Sequence, residues 1–260
     1  MSGSKLPQEL IDAIIREFIA SSKDEAEIRN LGLVHPRWYS RVNQYHFKDK
    51  VWRLCTSSEL KTRLYIIGAC NALQIRSLIL SGKPTLTLCI SDICRVIHLL
   101  PTLRVLYLCR ITLHGDPSEK RNFQIVTYDR APMEKLCLDC VAIQRYVDTE
   151  NQTVGSSLGD LFDLFSNIQL TNVYDIQFDT SSLLCDGSRR GLSSTSVATI
   201  QTFKTRLPNT LYACQVDTIW EAVALHRVVM VDVQVASWPF TSLMPGHLGT
   251  SLNRLKLSGG

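Results

Sequence analysis

The stretch Leu103-Arg104-Val105-Leu106-Tyr107-Leu108 decides the fold, because the spacing of its three leucines recurs along most of the chain. Apolar residues stand at relative positions 0, +3 and +5. The residues at +3 and +5 point to one face of a short β-strand, which faces the protein core. The residue at 0 lies just before the strand and also points into that core. The spacing occurs at six places: Ile75/Leu78/Leu80, Leu103/Leu106/Leu108, Met133/Leu136/Leu138, Val173/Ile176/Phe178, Val228/Val231/Val233 and Leu252/Leu255/Leu257.

The intervals between these six segments indicate an irregular repeat. Their first positions are separated by 28, 30, 40, 55 and 24 residues. The first two intervals and the last are near the unit length of a leucine-rich repeat, about 20 to 29 residues, and the pattern resembles that family. The interval of 40 predicts an insertion, and that of 55 leaves room for a degenerate repeat near Val197, Ile200 and Phe203. We expect an α/β fold, an irregular leucine-rich-repeat solenoid with a parallel sheet on its inner face.

Helical segments are predicted between the strands, over residues 90–100, 158–165 and 218–225. Pro101 and the pair Ser166-Asn167 are typical stop signals, so the recurring unit is helix, turn and strand. Two longer segments, 115–122 and 179–196, are predicted to be solvated loops. The sequence ends directly after a predicted strand, without a polar capping repeat, which predicts a truncated or incomplete array.

The N-terminal segment carries a different signal, that of three short helices. Leu6-Pro7-Gln8-Glu9-Leu10 predicts a helix start, because proline suits the first turn and Glu9 favours the positive helix end. Asp24 is a predicted N-cap, with Glu27 at the spacing of a capping box. His35-Pro36 breaks the second helix, and a third is predicted over residues 37–45.

Three helices in about forty residues leave much apolar surface uncovered, so a partner or the rest of the chain must cover it. The order Leu6-Pro7-x-Glu9-Leu10, Ile14-Ile15, Leu31-x-x-Val34-x-x-Arg37-Trp38 and Tyr45-x-Phe47 resembles the F-box family. The resemblance is to the divergent F-box-like domains common in fungal proteins. It implies an F-box-like helical module in residues 1–53, followed by a degenerate leucine-rich-repeat domain in residues 54–260.

The resemblance also implies a function. The predicted protein is the non-catalytic substrate-recognition subunit of an SCF-type (cullin–RING) ubiquitin ligase, which binds a Skp-type adaptor through its helices and an unknown protein target through its repeats. By position, the adaptor would contact Leu6, Pro7, Leu10, Ile14, Leu31 and Val34, and Trp38 would pack in the module's own core. The alternatives are an N-terminal cap on a repeat scaffold with no ligase role, and an unrecognised α/β enzyme.

Composition and charge argue against several other classes of protein. A hydrophobic fraction of 45% is sufficient for a sizeable core, so disorder is not expected. The formal charge of +4 is spread along the chain, whereas a nucleic-acid surface needs clustered cations. No membrane span or signal peptide is apparent, and nine cysteines without a secretion signal are expected to be reduced. The predicted location is intracellular, in the cytoplasm, the nucleus or both.

No catalytic, metal or cofactor site is predicted. Cys137-Leu138-Asp139-Cys140 is the sole C-x-x-C, and no second ligand pair stands at metal spacing. Period-2 alternation also directs Cys137 away from the core. The six histidines belong to no recognisable motif with a nucleophile, and His98 is interpreted as structural.

Overall fold

The computed structural model describes residues 6–22, 24–83, 86–115, 131–148, 153–178, 199–207, 219, 227–235 and 254–259. These residues form the mixed α/β structure that the sequence predicts. The helices in them are α1 (Gln8–Ser21), α2 (Glu25–Leu33), α3 (Pro36–Lys48), α4 (Ser57–Ala72), α5 (Ile90–Leu99) and α6 (Ser157–Asp163). Each of these described helices is too short or too polar to cross a lipid bilayer.

In the part of the chain that the structure describes, the main sheet contains eight strands, and each pairs in parallel with the next one along the chain. With the strands numbered in chain order, they are β1 (Asp49–Leu54), β2 (Ser77–Gly82), β4 (Val105–Cys109), β6 (Ala131–Asp139), β10 (Phe165–Tyr174), β12 (Thr199–Leu207), β13 (Arg227–Val235) and β14 (Arg254–Gly259).

A second, smaller parallel sheet was not predicted from the sequence. Its strands are β3 (Thr87–Cys89), β5 (Thr112–His114), β7 (Ala142–Ile143) and β11 (Gln177–Phe178). A tight turn leads to it from β4, β6 and β10, with Arg110, Cys140 and Asp175 in the left-handed region at φ 54°, 52° and 49°. A further antiparallel pair is formed by β8 (Arg145–Asp148) and β9 (Thr153–Ser156).

The register of β10 corrects one predicted repeat. Val173 pairs with Leu138, the last apolar residue of its strand, and not with the first one, Met133. The spacing Val173/Ile176/Phe178 therefore runs from the end of β10 across the turn into β11. The same 0, +3, +5 spacing leads from Leu108 into β5 and from Leu138 into β7, so one repeat unit carries it twice. The sequence pattern cannot tell these overlapping matches apart.

With this register, the spacing between paired residues of neighbouring strands varies less than the spacing between the six apolar segments of the sequence. Residues paired across neighbouring strands are 28, 28, 30, 35, 32, 28 and 24 positions apart, from Asp49–Ser77 to Met230–Arg254. The core-facing residues of β10 include Ile168, Thr171 and Val173, and those of β12 include Ile200, Phe203 and Thr205. Threonine at residue 171 is the reason that the apolar pattern missed β10. Strand β12 lies where the degenerate repeat near Ile200 and Phe203 was expected, and Thr205 makes its pattern incomplete.

The helices that accompany the sheet agree only partly with the prediction. Helix α5 begins at Ile90 as expected, whereas α6 ends at Asp163 and Phe165 already belongs to β10. Helix α4 was not predicted, because its apolar residues are distributed around the helix and form no stripe. Of the predicted helix 218–225 only residue 219 is described, and the predicted loops 115–122 and 179–196 lie, except for residue 115, outside the described residues.

Two separate clusters of buried apolar side chains hold the described parts together. Ile15, Ile28 and Val42 form the centre of the N-terminal helices. The other cluster extends from Trp52 to Val233 between the main sheet and the elements packed on it. Helix α3 ends at Lys48 and β1 begins at Asp49, so the helices continue into the sheet without a linker.

Candidate functional site

The exposed face of the N-terminal helices is the best candidate site, and α1 supplies most of it. Leu6 precedes the N-cap of α1, whereas Leu10 and Ile14 stand four residues apart within the helix and so lie on one helix face. The relative exposures of these three side chains are 53%, 46% and 40%, whereas the neighbouring Ile15 is fully buried. Pro7, also exposed, takes the N-cap position and lets the helix begin at Gln8. Helix α1 therefore buries one apolar face and presents another to solvent.

The two predicted contact residues at the end of α2 have different environments. Val34 is 66% exposed, and Leu33 beside it, which was not predicted as a contact residue, is 75% exposed. Leu31 is half-buried and packs with Trp38 against the buried core of the module. Val34 is thus available to a partner, while Leu31 mainly supports the helices. No direct signal in the sequence marks Leu33, because a helical stripe does not separate core residues from interface residues.

Polar contacts outside this face hold the helices in place. The Asp24 carboxylate accepts a hydrogen bond from the backbone N–H of Ala26 at 2.8 Å, as an N-cap does. Glu27 does not complete the predicted capping box, because its carboxylate accepts from the Ser22 hydroxyl at 2.7 Å. An ion pair of 3.7 Å between Arg41 and Asp12 joins α3 to α1. The apolar face is therefore free of these polar contacts.

No protein-family model and no curated protein matches this chain.

The second candidate surface is the outer face of the main sheet, which we define as the face opposite the buried core. Paired residues on successive strands form three columns on it. The first column is Asp49, Ser77, Val105, Lys135, Leu170, Thr202, Met230 and Arg254; the second is Val51, Ile79, Tyr107, Cys137, Asn172, Lys204, Asp232 and Lys256; the third is Arg53, Ser81, Cys109, Asp139, Tyr174, Arg206, Gln234 and Ser258.

Lys135 and Tyr107 occupy the middle of the outer face. The Lys135 ammonium lies 4.9 Å from the centroid of the Tyr107 ring, within the range of a cation–π contact. A hydrogen bond with Tyr107 raises the pKa of Lys135, although partial burial acts in the opposite direction. Lys135 therefore keeps its charge while its head group is held against the ring.

The C-x-x-C segment is split between two environments. Cys137 lies on the outer face, as its alternation predicted, and burial raises the pKa of its thiol to about 11. Cys140 is in the turn after β6, and ligand atoms of Cys140, Asp139 and Asp175 lie within 4.8 Å of one another. Burial and the nearby Asp139 raise the pKa of Cys140, which disfavours the thiolate that a metal would require. The geometry of two carboxylates and a protonated thiol gives no specific metal preference.

A groove between α4 and α5 has a volume of about 550 Å³. Its walls are mostly apolar and include Leu73 and Leu99, and Lys61 and His98 also line it. His98 is exposed at this groove, and its interpretation as a structural residue stays a prediction. The groove joins an exposed surface that includes Tyr65 and Ile66.

Proposed function

We propose that this chain is the substrate-recognition subunit of an SCF-type (cullin–RING) ubiquitin ligase. Its N-terminal helices bind a Skp-type adaptor, and its repeats bind a protein target. The observation that carries the proposal is the set of exposed apolar side chains Leu6, Leu10, Ile14 and Val34 on a small helical module. The ligase chemistry belongs to other subunits, and this chain raises the concentration of the target beside them.

The size of this set of side chains supports a docking role. Complete burial of a leucine, isoleucine or valine side chain stabilises by about 1.5 to 3 kcal/mol. Leu6, Leu10, Ile14 and Val34 retain between 40% and 66% of their exposure, so a partner that covers them gains on the order of 1 kcal/mol from each. Single exposed apolar residues are ordinary on a protein surface, but a series at helical spacing is typical of an interface.

The repeat part of the proposal, a degenerate leucine-rich-repeat solenoid, has its own support. Strands of both parallel sheets follow the order of the chain, and paired residues are separated by 24 to 35 positions. This arrangement results when each repeat unit can bury its apolar face only by packing against the neighbouring units. The outer face of the main sheet then becomes the surface offered to a target.

The location inside the cell is part of the same proposal. Six of the described cysteines are free thiols, namely Cys55, Cys89, Cys94, Cys109, Cys137 and Cys140. Free thiols fit the reducing cytoplasm or nucleus, where cullin–RING ligases would meet this chain.

Retention of a purified Skp-type adaptor by the immobilised full chain tests the proposal. We expect wild type to retain the adaptor and the double variant Leu10→Asp with Ile14→Asp to lose it, because two carboxylates would be buried without partners. The matched control is Tyr65→Asp with Ile66→Asp, which changes two exposed apolar residues of α4. Circular dichroism checks that both variants keep their helices.

The alternative function is a repeat scaffold with no ligase role, in which the helices only cap the sheet. Failure of the wild-type chain to retain the adaptor, or equal retention by the Leu10/Ile14 double variant, would sink the ligase proposal and leave the scaffold. Equal loss in the Tyr65/Ile66 control would also count against it, because the contact would then not be specific to the α1 face.

A further inference from the structure

One end of the outer face carries a concentration of positive charge. At the outer-face positions of β12, β13 and β14 the cations Lys204, Arg206, Arg254 and Lys256 accompany a single carboxylate, Asp232. On the outer-face positions from β1 to β10, two cations are balanced by two carboxylates in the columns defined above. The excess positive charge of this face therefore lies on its last three strands, which we call the basic end.

The dimensions of the basic end follow from the sheet. Neighbouring strands are about 4.8 Å apart, and alternate residues of one strand are about 6.6 Å apart. Lys204 and Arg206 on β12 are separated from Arg254 and Lys256 on β14 by one intervening strand. Their backbone positions thus fit in a patch of roughly 10 by 13 Å. This is close to the Debye length of about 8 to 10 Å, so the charges act together on a bound anion.

Contacts inside the patch leave most of this charge available. Lys256 lies 3.6 Å from the Asp232 carboxylate, which neutralises one cation. The Nε of Arg206 donates to Gln234 Oε1 at 3.4 Å, and this contact orients the guanidinium without removing its charge. Arg206 and Arg254 are both exposed. The guanidinium groups of Arg206 and Arg254, at opposite corners of the patch, can therefore donate hydrogen bonds to the carboxylates of a bound molecule.

We propose that the basic end binds an extended acidic segment of a protein. Three residues of an extended chain span about 10 Å, the width of the patch. Met230 is paired with Arg254 across the sheet, and Tyr174 is paired with Arg206. The aliphatic part of an acidic side chain can therefore contact Met230 or Tyr174 while its carboxylate contacts the arginine. The inference rests on the proposed function only in taking this segment to belong to the ligase target.

A polynucleotide fits this surface less well than an acidic segment does. Nucleic-acid affinity comes from many phosphates neutralised along a continuous path. Beyond the basic end the outer face has no net charge in the columns defined above, and Asp139 and Asp49 would repel a longer polyanion.

Fluorescence anisotropy with a labelled octaglutamate peptide tests the inference on the full chain. We expect salt-sensitive binding that exceeds that of a glycine–serine peptide of equal length and weakens by about tenfold or more in Arg206→Glu with Arg254→Glu. The variant Arg206→Gln with Arg254→Gln should fall between the two. Arg76→Glu with Lys83→Glu, a reversal of two exposed charges beside β2, is the matched control and should bind as wild type does.

Equal affinity of wild type and the Arg206/Arg254 reversal would overturn the inference, and so would tighter binding of a labelled oligothymidine of the same length. Adaptor retention, measured on the same proteins, separates the two proposals because it depends on the helices. A reversal variant that loses the peptide and keeps the adaptor supports both. If the wild-type chain binds the peptide but does not retain the adaptor, the ligase function is wrong and the acidic-segment site stands. If it retains the adaptor but does not bind the peptide, only the acidic-segment site is wrong.

Discussion

The backbone carbonyl of Arg110 closes the space beside Gly82, since a Cβ at residue 82 would lie only 2.7 Å from that oxygen. The same Cβ would be 2.7 Å from Cδ2 of Leu86, on the other side of the turn. The end of β2 therefore packs against the turn after β4, which contains Arg110. Glycine is required at residue 82 by this close approach.

Gly82→Ala should destabilise the protein by about 1 to 3 kcal/mol, because the Arg110 carbonyl and the buried Leu86 side chain leave no room for a Cβ. Urea denaturation measures the change. The matched control is Gly32→Ala, where a Cβ meets Tyr39 at 3.4 Å or more, an ordinary contact. Alanine should stabilise α2 there by up to about 1 kcal/mol. Equal stability changes for the two variants would contradict this assignment.

The hydroxyl groups of Thr171 and Thr205 are buried in the core and have no hydrogen-bond partner. Thr171→Val and Thr205→Val should each stabilise the protein by about 1 kcal/mol, because valine has a similar shape without an unsatisfied polar atom. The control is Thr102→Val, which should destabilise, since the Thr102 hydroxyl lies 2.9 Å from the Ile75 carbonyl. Thermal melting of the three variants checks the opposite signs. Destabilisation by either core substitution would be the contrary result.

Phe203 of β12 joins the sheet to α6 through an edge-to-face contact with Phe162, with ring centroids 6.3 Å apart. Both side chains are fully buried. Phe203→Ala should cost about 3 to 5 kcal/mol, because it leaves a cavity in addition to the lost contact. Tyr65→Ala, at an 89% exposed position, should change stability by less than about 0.5 kcal/mol. Similar unfolding midpoints for the two variants would refute the prediction.

The Cys137 thiol should resist alkylation at neutral pH. Burial raises its pKa to about 11, so about one thiol in a thousand is ionised at pH 8. Iodoacetamide should modify the exposed Cys55 well before Cys137, as peptide mass spectrometry can measure. Comparable rates at the two cysteines would show that Cys137 is not protected.

The same shift links Cys137 to folding stability. A pKa that is higher in the folded state favours the folded state while the thiol is neutral. This contribution is complete below about pH 9 and declines as the pH rises toward about 11. Cys137→Ala should therefore show a smaller loss of stability than wild type between pH 8 and pH 10.5 in urea titrations. An identical loss in both proteins would remove Cys137 as a cause.

Particular elements show how far the sequence reaches. The leucines of β2, β4 and β6 are all buried where the 0, +3, +5 spacing predicts. Pro7 and Asp24 mark the starts of α1 and α2, because a missing N–H and a capping carboxylate act locally. Of the six predicted adaptor contacts, the structure leaves five exposed and half-buries Leu31, and whether an adaptor binds them stays a prediction.

The amino-acid sequence by itself determined some local features of this protein: the starts of α1, α2 and α5, and strands with leucine at every core position. Only the tertiary structure decided the register of β10 and β12, because Thr171 and Thr205 are held in the core by their neighbours and not by their own hydrophobicity. It also decided which apolar side chains on α1 and α2 remain exposed. A helical spacing places residues on a common face, but the packing of the other helices determines whether that face is buried.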